Sequence, residues 1–185
     1  MLTALQPTRL RVRSFTFKVK DDYPVFLGNA IPLARESLDL AMDLGLKVGH
    51  NLRDGSDNTL LGLIVTIALT LTPSAKAEQI VFERIEIVSD GFFQFPGALI
   101  EDTNLEQLVH NCFLILYGAI RGQLQVLTAL VPGSFIVIPG VDLMAMMRNT
   151  VTTSDNLERI KSEILASIGP VQPKPAKRKP KVKAH

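Results

Sequence analysis

His110–Met147 reads HNCFLILYGAIRGQLQVLTALVPGSFIVIPGVDLMAMM, and its apolar periodicity organises the rest of the chain. Leu105, Leu108, Val109, Cys112, Leu116 and Ala119 keep helical spacing, and Leu124 and Leu127 continue it towards Pro132. Just upstream, Thr103-Asn-Leu-Glu106 has the form of a capping box, so a helix should start near Asn104. Gly118 and Gly122 are positions where it can bend, and their spacing also suits close helix packing. The stretch bears long apolar runs without catalytic chemistry, which points to binding rather than reaction.

Working outward towards the N-terminus, the period changes from helical to alternating. Arg9–Val19 predicts a first strand, with Phe15, Phe17 and Val19 on one face. Asp21–Pro32 holds two prolines and a glycine around Tyr23, Val25, Phe26 and Leu27, the composition of an irregular crossover. Leu33–Ala41 fits helix or extended chain equally. Met42–Leu52 alternates as a half-buried strand, RDGSDN at 53–58 supplies turn chemistry, and Leu60–Thr72 is apolar on both faces, as a central strand or subunit interface requires. Ile80–Val88 predicts a fourth strand, with a bend or bulge at Asp90-Gly91 before Phe92, Phe93 and Phe95. Strands therefore come first and helices afterwards.

Towards the C-terminus, an extended segment, Ser134–Pro139, leads to a short helix at Val141–Arg148 with Asp142 near its start. The polar TVTTSDN linker precedes a last helix, Leu157–Ile168, stopped by Gly169-Pro170. These readings divide the chain into an N-terminal extension (1–8), one folded domain (9–169) and a tail (170–185) without the apolar residues to fold. Five lysines and Arg178 sit in that tail without an acid, so the net charge of +2 hides a mildly acidic body. Hydrophobic residues make up 46% of the chain and mean hydropathy is +0.22, a surplus that points to subunit or ligand interfaces. Leu60–Leu71, the longest apolar run, is shorter than the roughly 20 residues a bilayer span needs, so no membrane insertion is expected. Arginines follow rather than precede the weak apolar N-terminal patch, the reverse of a secretory signal, and a lone Cys112 suits a reducing compartment; both place the protein in the cytoplasm.

Few residues suggest chemistry. No phosphate loop, dinucleotide fingerprint or nucleophile elbow occurs. His110 and Cys112 diverge by about 200° on a helix, so they do not share a metal, and His50 and His185 add no ligand set. Glu83 and Glu86 should face opposite sides of their strand and so form no carboxylate pair. Met144, Met146 and Met147 suit either core filling or a surface that accepts varied apolar partners. No enzyme activity, cofactor or metal is expected.

Cys112, Leu116, Tyr117 and Arg121 keep the spacing of the run Cys-Pro-x-x-Leu-Phe-Pro-Tyr-Ala-Arg-Glu, and Ile136, Ile138, Val141, Asp142 and Leu143 that of Leu-x-Leu-x-Pro-Val-Asn-Phe. In these runs the chain resembles the SecB family of protein-export chaperones. VSDGFFQF at 88–95 is similar to the family's Gly-Ile-Phe turn and RLRVRSFTF to its first strand, so the likeness spans roughly residues 9 to 148. Phe113 and Gly118 replace the signature's two prolines, Ala119 its tyrosine and Gly122 its glutamate.

The resemblance implies an α+β fold, a four-stranded antiparallel sheet with helices on one face, assembled as a homotetramer (a dimer of dimers). It further implies a holdase whose apolar grooves bind unfolded polypeptides, either export precursors or a related client such as an antitoxin. Groove candidates are Tyr23, Val25, Phe26 and Leu33 from the crossover, with Phe135, Leu143, Met144 and Met147 from the helical side. Glu86 retains one acidic position of the family's docking face for the motor SecA, whereas Ser14, Lys18 and Arg84 occupy other positions there. A rival reading is a regulatory module whose Lys-rich tail reaches nucleic acid or another acidic partner by charge.

Overall fold

The computed structural model describes residues 6–21, 38–49, 52–53, 59–74, 82–96, 105–129, 138 and 140–168. The crossover, most of the 53–58 turn, the Thr103 cap, most of the extended segment at 134–139 and the basic tail lie outside the described residues. Four long strands form the sheet: β1 (Gln6–Val19), β2 (Leu38–Val48), β4 (Thr59–Pro73) and β5 (Phe82–Pro96), with a two-residue β3 (Leu52–Arg53) between β2 and β4. All pairings are antiparallel in the order β1-β5-β4-β2, and β3 pairs with β4. Among the described residues three helices follow, α1 (Leu105–Ala129), α2 (Leu143–Arg148) and α3 (Ser154–Ile168), which makes the fold α+β.

Alternation decides which face is buried. On β4, Leu61, Leu63, Val65, Ile67, Leu69 and Leu71 are all sealed from solvent, and on β5 Ile85, Ile87, Phe93 and Phe95 join them. Apart from the buried Gly62, the residues that alternate with them are not sealed, so the sheet has a helix-covered face and an open face. The central place expected for Leu60–Thr72 is the one β4 holds, flanked by β5 and β2. Against the covered face α1 lays Leu108, Val109, Cys112, Phe113, Leu116, Tyr117, Ile120 and Leu124, each buried. Burying such side chains contributes about 1.5–3 kcal/mol apiece before chain entropy is subtracted, which makes α1 on β4 and β5 the main stabilising contact.

Several boundaries differ from the sequence reading. β1 starts at Gln6 and takes in Pro7, which an edge strand tolerates because its outward N–H needs no ladder partner. β2 starts at Leu38, settling the end of the ambiguous 33–41 stretch as strand. Its predicted run to Leu52 is interrupted: Gly49 N–H still donates to Gly62 C=O at 2.8 Å, but β3 resumes with its pairing shifted by one residue. α3 begins at Ser154, inside the polar linker.

Asp90-Gly91 does not bend the chain. β5 runs straight through it in unbroken register with β4, because both residues are satisfied within the sheet. Asp90 accepts a hydrogen bond from Thr66 Oγ1 at 2.8 Å and pairs with Arg13. Gly91 leaves room for the Phe93 ring, whose Cε2 would lie 2.5 Å from an added Cβ. The irregularities fall between β1 and β5 instead, where Thr8, Arg13 and Glu83 are the extra residues at three register shifts. The last of these corrects the reading of Glu83 and Glu86: Phe82 and Ile85 are both buried, so Glu83 and Arg84 are together accommodated between two core positions. Glu83 pairs with Lys18 and Glu86 with Arg84, which leaves neither carboxylate free to work with the other.

Candidate polypeptide-binding surface

An incomplete cover leaves one apolar row accessible on the helix side. Leu40, Met42, Leu44, Leu46 and Val48 of β2 stand opposite Leu71, Leu69, Ile67, Val65 and Leu63 of β4, and so share the covered face. The β4 residues are sealed under α1, whereas the β2 row is only half buried because α1 packs over β4 and β5. α3 reaches β2 at one end, where Leu44 and Leu46 meet Val151, Asn156, Arg159 and Ile160 around an open cleft of about 150 Å³. Leu44, Leu46, Val151 and Ile160 line it with apolar side chains and Asn156 and Arg159 with polar ones, Arg159 being held by Glu163 in the next turn. Among the described residues no strand pairs with the outer edge of β2, so backbone donors and acceptors lie beside this row.

The helical side was only partly legible. Asp142 caps α2 through a hydrogen bond from Ala145 N–H at 3.0 Å, as the short-helix reading requires. That cap orients Leu143 and Met147, one turn apart, into the core, where they are 2% and 0% exposed. Both are therefore committed to packing in the protomer, while Met144 and Met146 are half-buried beside them. Tyr23, Val25, Phe26, Leu33 and Phe135 lie outside the described residues. Glu86 lies on the open face, far from this row, between Thr16 and Thr70 on the neighbouring strands. The β2 row was visible in the sequence as alternation, but its incomplete cover was not, since cover depends on where α1 crosses the sheet.

A second apolar feature runs along the outside of α1. Leu114, Gly118, Gly122 and Val126, four residues apart, form one exposed line, with Leu114 and Val126 45% and 66% exposed. A Cβ added at either glycine would meet nothing within 4 Å. By length and composition α1 is also apolar enough to cross a membrane, a test that core helices pass as well; its inner face is spent on the sheet.

On α1, burial disfavours the charged forms of Cys112 and Tyr117. Burial pushes the Cys112 thiol from its ordinary value near 9 up to about 12. It also raises Tyr117, partly offset by the nearby Arg121 charge. A thiol this far from ionising is a poor nucleophile. Native protein is thus expected to resist iodoacetamide at pH 8 and to react fully once denatured in urea, and rapid native alkylation would show that α1 does not seal this residue. Because the fold favours the neutral thiol, its contribution to stability is complete below about pH 9 and declines as pH rises towards about 12. Among the described residues no three His, Cys, Asp or Glu side chains gather as a metal site.

Comparison with known proteins gives little more. No protein family matches the chain, and no curated protein does. Among solved structures, the chain is similar to the SecB-like chaperone Rv1957 of Mycobacterium tuberculosis, solved in complex with a ChAD peptide from the Rv1956 HigA1 antitoxin. The match has 16% identity and a TM-score of 0.40, and covers 76% of this chain and 92% of the other. Likeness of that degree carries no functional argument, so any reading rests on the residues of this chain.

Proposed function

We propose that the protein is a SecB-like holdase that binds unfolded polypeptide along β2. The observation that carries this reading is the half-covered row Leu40, Met42, Leu44, Leu46 and Val48, which lies beside a strand edge that no other strand pairs among the described residues and opens on the α3 cleft. An extended client can satisfy its own backbone on that edge while alternate side chains settle on the apolar row, which selects for unfolded chain over any one sequence. The sequence resemblance to SecB supports the same reading, with Tyr23, Val25, Phe26, Leu33 and Phe135 extending the groove and Met144 at its margin.

In this reading four protomers associate in the cytoplasm as a dimer of dimers, and one client chain engages several weak subsites at once. Binding lowers the free concentration of unfolded chain and slows its aggregation without ATP. Clients are unfolded precursors or a labile antitoxin-like chain. Glu86 is already paired with Arg84, which makes it a weak anchor for an export motor.

Light scattering of a urea-denatured client diluted into buffer tests the proposal. Stoichiometric protein is expected to suppress aggregation, and a Leu44→Gln/Leu46→Gln variant that keeps its circular dichroism spectrum to lose most of that suppression. Absence of suppression by the natural protein rejects the reading. Removal of residues 170–185 leaves a groove-driven activity intact and abolishes one that depends on the tail.

A further inference from the structure

The open face of the sheet carries a charge pattern that the groove does not use. Arg9 stands opposite Phe92 and Arg11 opposite Asp90, while the bulged Arg13 turns onto the same side to pair with Asp90. All three are exposed, and Leu10 and Val12 between them face the helix side. Bulges at Thr8 and Arg13 thus preserve the facing of the strand and set three guanidinium groups in a line along one edge of the open face. Asp90 is already engaged by Arg13 and Thr66. Among the described residues no carboxylate comes within ion-pair range of Arg9 or Arg11.

Inward of this line the open face turns apolar, as Phe92, opposite Arg9, sends its ring across β4 and away from β1. Its ring lies over Gly49, where an added Cβ would be 2.6 Å from Cε2, so the glycine allows the ring to lie across the sheet. Ile64, directly opposite Phe92 on β4, extends the patch and is partly exposed.

We propose that the open face along β1 docks an extended acidic polypeptide segment from a partner protein. Residues two apart on a strand are about 6.6 Å apart, the repeat of alternate side chains in a second extended chain, so carboxylates at alternating positions match Arg9 and Arg11. Nucleic acid fits less well. Asp39 and Asp43 on β2 and Glu83 and Glu86 on β5 lie on the same face, where Lys47 is the exposed cation of β2, and these four acids oppose a polyanion spread across the sheet. The protein's own tail is basic and is repelled. The site is on the opposite side of the sheet from the β2 row and does not depend on the holdase reading.

Fluorescence anisotropy with a labelled peptide of alternating glutamate and threonine tests the proposal on the full chain. The peptide should bind, and Arg9→Glu/Arg11→Glu should weaken it at least about tenfold. Lys174→Glu/Lys177→Glu, which changes net charge equally but in the tail, should alter affinity less than about twofold. Asp90→Asn, which releases Arg13, should tighten binding. Thermal melts establish that each variant is folded, and Arg9→Gln/Arg11→Gln replaces the charge reversal if that variant melts. Equal losses in the two charge-matched variants, or no binding at all, would overturn the proposal. So would tighter binding of an oligothymidine strand with the same dependence on Arg9 and Arg11, which would assign the strip to nucleic acid.

Discussion

Phe113→Pro is expected to unfold the protein, or to bring it to the edge of unfolding in dilute buffer. Position 113 is inside α1, where proline loses the N–H that bonds to the preceding turn and its ring strikes that turn's carbonyl, at about 3 kcal/mol. The phenylalanine is also wholly buried against the sheet, and deleting most of an aromatic side chain from a core costs a further 3–5 kcal/mol or so. Together these approach the whole stability of an ordinary domain, roughly 5–15 kcal/mol. Gly118→Pro separates the two contributions. Gly118 is on the outer line of the same helix, so its replacement disturbs the backbone without opening the core and, because glycine already costs the helix about 1 kcal/mol, should cost about 2 kcal/mol. Urea melts of the three proteins measure both steps. A Phe113→Pro variant within about 1 kcal/mol of the parent would mean that α1 does not continue through this position.

Local periodicity made the long elements legible. The continuous apolar run at Leu60–Thr72 and helical spacing from Leu105 onward are properties of each segment alone, and β4 and α1 fall where those patterns place them. Asp90-Gly91 misled because a dipeptide that favours turns in isolation is held extended here by cross-strand partners, Thr66 and Arg13, which no local reading contains. Ser154 was hidden in a polar linker because the first turn of α3 is solvent-facing and shows no apolar period until Leu157 and Ile160. The methionine cluster shows the same limit at the candidate site. Spacing alone leaves Leu143, Met144 and Met147 equivalent, whereas the Asp142 cap fixes the rotation of α2 and divides them between core and surface. The β2 row depends on a relation between elements, the crossing of α1 over β4 and β5, and so becomes a candidate only in three dimensions.

Gly118→Leu/Gly122→Leu is expected to move protomer stability and assembly in opposite directions. Within the protomer both sites are open, so the leucines displace nothing, and removing two glycines from a helix interior should raise stability by about 1 kcal/mol each. In the proposed tetramer the line from Leu114 to Val126 is the strongest apolar contact surface that α1 has left, and its two glycines let a neighbouring helix approach to about 8 Å between axes. Two leucine side chains fill that space, and the dissociation constant should rise at least about 100-fold, or about 2.7 kcal/mol. Sedimentation over a dilution series reads the second effect, and urea melts at the lowest concentration read the first. A variant that is more stable and assembles as before would show that the outer line of α1 is solvent-facing in the assembly. A natural protein that sediments as a monomer would remove the avidity on which the proposed capture of weakly held clients depends, since one half-covered strand per particle gives an unfolded chain only one subsite to hold.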